Sequence, residues 1–508
     1  MKIAMFHHKY CNDGVARVLS QLIPLYRENG NEVILITEEI EPEMDFDLPC
    51  GVKRYTIESE YGIVSGSGDL DKRIVELKEI IKKEKPEIFC HHAVSSELLE
   101  TDIDVLHSLG VKVIGVKHEL FSQWMVQGKD ILSIQRKCFS MLDGLVVLSE
   151  CEKTFWKTVG INSAVIPNPI PSIENVQMHK SGDSKIVLWV GRLGEEHKCY
   201  GDAIKIISMV KDKIPNMQLH IYGTPDTVSD YIKFNELIES EGVEEYVVYH
   251  GYQTDLSEAY SNADVMLVTS TFESFPMNVL ESKCYGLPMV IYSMPYLELL
   301  KEKKGYIEVE QKNISAASNA IVQILEDKLL KQKLGHEAYE SIESFRKIDL
   351  YSEWNTLFCE VLNGKQEDIE IDEQLSVLMD TLIYHQSLIC QKYQGVMKEL
   401  HILSEKEKIN EIETIMEKSQ LKLAIYPSGA RAKELKQLLS RNGIVVSRMV
   451  DNIKYDNKSV FSLDYMKEKE NQNYLYVIAS DKGSFAATIR KRLDEYIEKE
   501  YQYDWYIK

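Results

Sequence analysis

The sequence of 508 residues predicts an α/β fold with two doubly wound parallel sheets, a helical spacer and a smaller C-terminal α/β unit. Three observations predict this class. Short apolar runs alternate with longer segments of helical period, the alternation stops at a polar segment and restarts, and a charged helical stretch precedes a third, shorter series. Runs that are apolar at nearly every position are typical of strands covered by helices on both faces, which implies parallel order.

The first predicted sheet belongs to an N-terminal unit over residues 1–170. Each strand is a short apolar run followed by a connection, and most of these connections have a helical period. The runs are KIAMF (2–6), EVILIT (32–37), EIFCHH (87–92), VKVIGVKH (111–118), GLVVLS (144–149) and AVIP (164–167). Residues 170–183 are polar and contain proline and glycine, which is typical of a linker.

The second predicted sheet restarts the pattern and defines a unit over residues 184–345. Its strands are KIVLWVG (185–191), QLHIYG (218–223), YVVYHG (246–251), ADVMLVTS (263–270) and PMVIY (288–292). Residues 349–362 then predict an amphipathic helix with Trp354 and Phe358 on its apolar side.

A helical spacer is predicted over residues 365–420, which are highly charged. Leu375, Leu378 and Leu382 recur at helical spacing, but the heptad repeat drifts. A stable coiled coil needs a sustained heptad, so the first interpretation is a spacer and the alternative is an oligomerisation element.

A third, small α/β unit is predicted over residues 421–508. It begins with a strand, the turn Ser428-Gly429-Ala430, a helix and a strand ending near Asp451, in the order of a nucleotide-binding fold. The G-x-G-x-x-G signature is absent. A structural or docking role is therefore the first interpretation, and nucleotide binding near Gly429 and Asp451 the alternative.

Composition narrows the class of protein. The formal net charge of −21 argues against general nucleic-acid binding, which needs a basic surface. The N-terminus MKIAMFHHKY lacks a signal-peptide core, and no run approaches the roughly 20 apolar residues of a membrane span. Nine cysteines without a C-x-x-C pair fit reduced thiols. The sequence therefore predicts a cytoplasmic protein, and loose contact with a membrane through exposed lysines stays open.

Two cations follow the first strand of the second unit, in WVGRLGEEHKCYGDAI (189–204). Arg192 and Lys198 lie in the loop before a helix. The forked N–H donors of the arginine and the compact charge of the lysine suit a diphosphate. The helix N-terminus adds partial positive charge. The alternative is a pair of solvated surface cations.

Two carboxylates lie in VTSTFESFPMNVLESKCYGLPMV (268–290). Glu281 comes eight residues after Glu273, which is about two helical turns, so both can face one ligand at different depths. A carboxylate accepts two hydrogen bonds from vicinal hydroxyls, and the pair therefore suits a ribose and a sugar.

These residues carry a family resemblance. Arg192 with Lys198, Glu273 with Glu281, and the closing GLPMV strand resemble the retaining glycosyltransferases of the GT-B fold, glycosyltransferase family 4. The resemblance covers roughly residues 1–362. It implies two facing Rossmann-like domains, an acceptor domain at 1–170 and a nucleotide-sugar donor domain at 184–345. Helix 349–362 would cross back to the first domain, and 421–508 would be a small Rossmann-like domain of unknown role.

The resemblance also assigns roles. It gives the donor diphosphate to Arg192 and Lys198, the transferred sugar to Glu273 and the ribose hydroxyls to Glu281. Pro276 stands where many members have glycine, so one N–H is missing and the amides that bind sugar and phosphate stay open. The remaining predicted residues are His118 facing the sugar, Gly14 near the phosphate or acceptor, Gly223 and Tyr252 at the base, and Phe275 and Met277 beside the donor.

Two residues of this region also have structural interpretations. His118 read alone is a structural strand-end histidine, and Asp13 is an ordinary helix cap. Asn168, in IPNP, resembles the family's interdomain turn.

The resemblance implies a retaining hexosyltransferase. It would move a hexose or N-acetylhexosamine from a nucleoside-diphosphate sugar, with UDP the expected base, to a glycan or lipid-linked acceptor of bacterial surface polysaccharide. In the same-face route the two cations would stabilise the departing diphosphate, so that neither a metal nor a cofactor is expected. The departing phosphate would take the proton of the acceptor, so that no strong general base is expected. The alternatives are a non-catalytic GT-B partner subunit and a GT-B sugar-nucleotide epimerase.

Overall fold

The computed structural model describes residues 1–508 apart from 12, 43, 65, 123–128, 172–184, 226–227, 365–372, 429, 452–458, 470–473, 480–492, 494–495, 498–501 and 505–508. Two compact units result. The first is Met1–Glu60, Leu70–Thr224 and Lys233–Ser387, and the second is Tyr61–Asp69, Pro225–Ile232 and Leu388–Lys508. The predicted linker lies outside the described residues from 172 onward, as does Gly429.

The first unit contains a seven-stranded parallel sheet with the order β3-β2-β1-β4-β5-β6-β7. The strands are β1 (Lys2–Phe6), β2 (Glu32–Thr37), β3 (Lys53–Thr56), β4 (Ile88–His91), β5 (Lys112–Val116), β6 (Gly144–Val147) and β7 (Ala164–Val165). Strand β3 was not predicted, because KRYT is a half-exposed edge strand without an apolar run.

The same unit contains a six-stranded parallel sheet with the order β10-β9-β8-β11-β12-β13. The strands are β8 (Lys185–Val190), β9 (Met217–Tyr222), β10 (Val247–Gly251), β11 (Val265–Val268), β12 (Met289–Tyr292) and β13 (Tyr306–Val309). In both sheets the order reverses beside the first strand, and ligands of doubly wound folds bind outside the strand ends at such a reversal.

Helices connect the strands and cover the sheets. In chain order they are α1 (Gly14–Glu28), α2 (Glu60–Val64), α3 (Leu70–Glu84), α4 (Leu99–Ser108), α5 (Lys129–Met141), α6 (Glu150–Thr158), α7 (Tyr200–Val210), α8 (Val228–Glu241), α9 (Ser257–Asn262), α10 (Met277–Cys284), α11 (Ile314–Glu326), α12 (Lys328–Glu340), α13 (Glu343–Arg346), α14 (Leu350–Leu362), α15 (Glu373–Ser419), α16 (Ala430–Arg441) and α17 (Leu463–Lys469).

Helix α14 packs on the first sheet, although it follows the second in sequence. Asp349 caps it by accepting a hydrogen bond from the Ser352 N–H at 3.0 Å. Trp354 and Phe358 are buried with Tyr26 of α1, and the ring centroids of Tyr26 and Trp354 lie 5.8 Å apart. The apolar side predicted for this helix therefore completes the core of the first sheet.

The second unit contains a five-stranded parallel sheet with the order β16-β15-β14-β17-β18. The strands are β14 (Lys422–Tyr426), β15 (Val446–Val450), β16 (Val460–Phe461), β17 (Tyr474–Ile478) and β18 (Gln502–Asp504). Ile409 and Ile412, near the end of α15, are buried in its core. Asp451 accepts hydrogen bonds from the N–H and hydroxyl of Ser428, at 3.1 and 2.9 Å.

The predicted fold class is confirmed, since the chain is α/β with parallel sheets in the described residues. The short edge strands β3, β13, β16 and β18 had no recognisable apolar run. No helix in the described part is both long enough and apolar enough to cross a membrane.

Candidate functional site

A cleft of about 500 Å³ lies within the first unit, at the carboxyl ends of both sheets. His7 follows β1 and His118 follows β5 on one wall, whereas Gly191 follows β8 on the other. The structure places every site residue proposed from sequence in the lining: Gly14, His118, Arg192, Lys198, Gly223, Tyr252, Glu273, Phe275, Met277 and Glu281. Their individual roles stay predictions.

The loop after β8 approaches the neighbouring strand end closely. Gly223 has a φ of +140°, and a Cβ there would lie 1.9 Å from the carbonyl oxygen of Gly191. Only glycine fits at such a contact, because both the conformation and the space exclude a side chain. This close packing fixes where the loop containing Arg192 and Lys198 begins.

Lys198 ends a 3₁₀ turn (Glu196–Lys198) directly before α7. Its carbonyl accepts a hydrogen bond from the Thr269 hydroxyl at 2.7 Å, and the oxygen of that hydroxyl accepts one from the Trp189 indole at 3.0 Å. The backbone at this lysine is thus held by two neighbouring strands of the second sheet.

Both cations of this loop are paired with carboxylates. The ammonium of Lys198 contacts Glu273 Oε1 at 2.6 Å, and the Arg192 guanidinium contacts Glu195. Lys198, Glu273 and Arg192 were predicted from the sequence, whereas Glu195, the partner of the arginine, was not. A diphosphate would therefore compete with internal carboxylates for these donors.

Glu281 is paired as well, with a residue that the sequence analysis missed. Its Oε1 accepts from Nε of Arg17 at 3.1 Å and lies 3.1 Å from Nη2, and Nη1 donates to the Thr254 carbonyl. Arg17 lies three residues after Gly14 on α1, so it points from the first sheet's side of the cleft to the second. The available signal was this spacing from Gly14, since residues three apart share a helix face.

The turn between β11 and α10 brings Glu273 and polar atoms to the cleft. The N–H of Glu273 donates to the Tyr296 hydroxyl at 3.2 Å, and Phe275 is buried in the apolar core. Ser274 Oγ and Asn278 Oδ1 are buried without a hydrogen-bond partner among the described residues. Buried polar atoms are rarely left unsatisfied, which makes both candidates for contact with a ligand.

The opposite wall begins with His7 and Asp13. Asp13 Oδ1 accepts from the Ala16 N–H at 2.6 Å, and its Oδ2 lies 3.1 Å from His7 Nε2. Burial alone would raise the pKa of Asp13, but His7 and the Ala16 hydrogen bond lower it to about 2. The helix-cap interpretation of Asp13 is confirmed, and the same residue also lines the cleft.

His118 lies against a second histidine that the sequence analysis did not single out. His92 follows β4, and its Nδ1 is 3.0 Å from His118 Nε2, with the ring centroids 5.3 Å apart. Burial lowers the pKa of His118 to about 4 and that of His92 well below its ordinary value. Both imidazoles are therefore neutral at neutral pH.

Aromatic rings lie at the ends of β9 and β10. Tyr222 stacks on His250 with centroids 4.3 Å apart and planes within 5°. The Tyr252 hydroxyl donates to the Met44 carbonyl at 3.4 Å, from the second sheet's side to the first. Tyr222, Tyr252 and Gln253 together form the cleft wall on which a flat base could stack.

One cluster in the described part of the chain has the composition of a metal site. The ligand atoms of His8, Glu38 and Glu60 lie within 4.8 Å of one another. However, the buried Arg73 guanidinium contacts Glu38, so a cation already neutralises that carboxylate. We assign no metal to this cluster.

Comparison with known proteins gives two matching family models. "Glycosyltransferase Family 4" matches residues 12–172, and "Glycosyl transferases group 1" matches residues 173–341. The two matches are adjacent and together cover the strands of both sheets of the first unit apart from β1.

Two of the similar proteins are named as transferases that act on polyol-phosphate polymers. A 155-residue segment is 28% identical to the poly(glycerol-phosphate) alpha-glucosyltransferase of Bacillus subtilis, covering 30% of this chain and 22% of that one. A 221-residue segment is 23% identical to the poly(ribitol-phosphate) alpha-N-acetylglucosaminyltransferase of Staphylococcus aureus, covering 43% of this chain and 44% of that one. The chain thus spans less than half the length of these two relatives.

Among solved structures, HepE from Anabaena in complex with UDP-glucose matches with a TM-score of 0.56 and 14% identity. The match covers 72% of this chain and all of that one. At this identity the likeness concerns the fold.

Proposed function

Because the chain belongs to glycosyltransferase family 4 and has the GT-B fold, we propose that it transfers a hexose or N-acetylhexosamine from a UDP-sugar to a glycan or lipid-linked acceptor. The acceptor would be a bacterial surface polysaccharide or glycoconjugate. The relatives act, by their names, on glycerol-phosphate and ribitol-phosphate polymers, and HepE was solved with UDP-glucose, which supports this donor and acceptor class.

The observation that carries the proposal is the convergence of Arg192, Lys198, Glu273 and Glu281 on one cleft. In the proposed complex the diphosphate takes the place of Glu195 beside Arg192 and of Glu273 beside Lys198. Glu273, released from Lys198, then accepts hydrogen bonds from sugar hydroxyls. Glu281 accepts both vicinal hydroxyls of the ribose, which a carboxylate can do with its two oxygens.

The proposed chemistry is retaining and electrostatic. Negative charge grows on the departing phosphate, and Arg192 and Lys198, which line the cleft, would stabilise it. The acceptor attacks from the leaving-group side, and the departing phosphate oxygen takes its proton. This scheme uses neither a metal nor a cofactor, because the two cations supply the positive charge.

Nucleotide binding tests the proposal directly. The purified chain is heated with UDP, GDP, ADP or CMP, alongside Arg192→Ala and Glu281→Ala. A ligand at a hundred times its Kd should stabilise the fold by about 2.7 kcal/mol. We expect UDP to raise the unfolding temperature of the wild type and not of the variants.

Two outcomes would contradict the proposal. If no diphosphate stabilises the wild type, the transferase assignment fails and the partner-subunit alternative gains. A shift that survives both substitutions would locate the nucleotide elsewhere, with the turn near Asp451 the next place to examine.

We further propose that α15 pairs with the same helix of a second copy. Leu378 is 53% exposed, Leu382 49% and Tyr384 54%. Met379 and Ile383, about 100° further round the helix, pack against the first core, so the core covers only part of the apolar surface of the helix. An exposed apolar surface of this kind is typical of an interaction site.

Light scattering after size exclusion tests this pairing. The double variant Leu378→Glu with Leu382→Glu should be monomeric, whereas the wild type and the control Leu329→Glu, altered at an exposed leucine of α12, should be dimeric. A monomeric wild type would contradict it. Flotation of the wild type with anionic vesicles would instead indicate the peripheral membrane contact that a lipid-linked acceptor requires.

A further inference from the structure

His92 is a buried polar side chain that the proposed chemistry does not use. It is 2% exposed, and its Nε2 has no hydrogen-bond partner in the described residues. Its other ring nitrogen, Nδ1, lies 3.0 Å from Nε2 of His118, which lines the cleft. Through this nitrogen His92 contacts a histidine of the site.

One proton lies between these two nitrogens. Both rings are neutral at neutral pH, and a neutral imidazole carries a single N–H. A hydrogen bond between Nδ1 of His92 and Nε2 of His118 requires that one of them donates and the other accepts. Whichever arrangement holds sets the tautomers of both rings.

The first arrangement has His118 donating from Nε2. The proton of His92 must then lie on its own Nε2, where it would be a buried N–H without an acceptor. Orphaned buried N–H groups are rare in proteins.

The second arrangement has His92 donating from Nδ1. Its unpartnered Nε2 is then a bare lone pair, and an unsatisfied acceptor is tolerated better than an unsatisfied donor. The proton of His118 must lie on Nδ1, which no described residue contacts. His118 then offers an N–H to the cleft.

We propose that His92 is a positioning residue that holds His118 in its Nδ1–H tautomer, so that His118 donates a hydrogen bond to an oxygen of the bound nucleotide-sugar. The second half of this statement rests on the proposed function. The first half concerns the ligand-free protein alone.

Nitrogen NMR on histidine-labelled, ligand-free protein tests the tautomer. The signals of His118 are assigned by their loss in His118→Gln. We expect the wild type to carry the proton of His118 on Nδ1. His92→Asn should keep it there, because its side-chain amide can donate from the same position.

His92→Leu removes the donor, and His118 should then shift toward the Nε2–H form, which free imidazole side chains prefer in water. The matched control is His91→Leu, which alters the neighbouring buried histidine. His91 contacts Asp102 at 3.4 Å and does not line the cleft, so its loss should leave His118 unchanged. A wild-type proton on Nε2, or no change in His92→Leu, would overturn the proposal.

Turnover of UDP-glucose and UDP-N-acetylglucosamine tests the second half. Loss of one hydrogen bond should lower kcat/KM about 3- to 10-fold in His92→Leu, with recovery in His92→Asn and no loss in His91→Leu. Equal turnover in all variants would overturn the sugar contact while leaving the tautomer result standing. If the wild type turns over neither donor, the proposed function fails, and the NMR result still decides the role of His92.

Discussion

The two walls of the cleft use different chemistry. The wall from the second sheet carries charges in ion pairs, Lys198 with Glu273 and Arg192 with Glu195. Besides Asp13 and Arg17, the wall from the first sheet carries His118, which lies against His92, and burial keeps both imidazoles neutral. The charged loop of the second sheet is suited to exchange its internal carboxylates for an anionic ligand. The histidines beside the first sheet are suited to direct hydrogen bonds without adding charge.

This difference shows how a strongly acidic protein can bind an anion. The formal net charge is −21, yet the cations of the cleft are held in place by nearby carboxylates instead of being dispersed in solvent. Pairing keeps the donors positioned before a ligand arrives, and preorganised donors stabilise developing charge most effectively.

The largest effect should come from the charged wall. Lys198→Ala should lower kcat for UDP-sugar turnover by about 10²–10³-fold, because one donor to the departing phosphate is lost. The control is Lys205→Ala, on the exposed side of α7. Steady-state kinetics measure both, and a loss below tenfold in Lys198→Ala would show that the charged wall is not the main source of stabilisation.

An intermediate effect should come from Arg17, which bridges the walls. Arg17→Gln leaves Glu281 without its ion-pair partner and should lower stability by about 1–3 kcal/mol, between the values of exposed and buried pairs. UDP should then stabilise the variant more than the wild type, because no ion pair has to break for the ribose. Thermal unfolding with and without UDP measures this.

Arg27→Gln, also on α1, is the matched control for Arg17, since its guanidinium donates to the Cys50 carbonyl at the surface and does not line the cleft. We expect UDP to raise the unfolding temperature of Arg27→Gln by as much as that of the wild type. A smaller UDP shift in Arg17→Gln would mean that Arg17 binds the nucleotide instead of competing with it.

The smallest effect should come from the neutral histidines and should depend on pH. Burial lowers the pKa of His118 to about 4, below its ordinary value of 6.5, so the unfolded chain binds more protons between those values. This histidine therefore stabilises the fold above pH 6.5, and the contribution is lost as pH falls toward 4. Asp13, with a pKa near 2, changes only at lower pH.

Replacing His118 by leucine should shrink the drop in unfolding temperature from pH 7 to pH 5 by about 2 °C, the scale of 1 kcal/mol in a large domain. The control is His336→Leu, at an exposed histidine of α12, which should change nothing. The same drop in His118→Leu and wild type would contradict the neutral assignment.

The comparison of the two walls also shows which contacts of the site can be predicted from the sequence. Arg192, Lys198, Glu273 and Glu281 were identified because each pair lies within ten residues on one strand-turn-helix segment. The partner of Glu281 is Arg17, 264 residues away, and no local spacing predicts that contact. Long-range pairing is set by how the two sheets face each other, which the pattern of apolar runs does not fix.

His92 was missed for a related reason. It lies inside the apolar run EIFCHH and reads there as an ordinary core residue. Its relation to His118 depends on β4 and β5 being neighbours in the sheet, with Cys90 paired to Ile114. The sequence predicted both strands, but their adjacency follows from the sheet order.

Helix α14 has a consequence for synthesis of the chain on the ribosome. The core of the first sheet includes Trp354 and Phe358, so it is finished only after the whole second sheet has been translated. The first sheet is therefore synthesised before the second, but its core is completed only after the second sheet has been synthesised. A gene fragment that ends between the two sheets would encode a first sheet on which the surface around Tyr26 is exposed. Exchanging the first sheet together with α14 between related enzymes therefore requires two junctions instead of one.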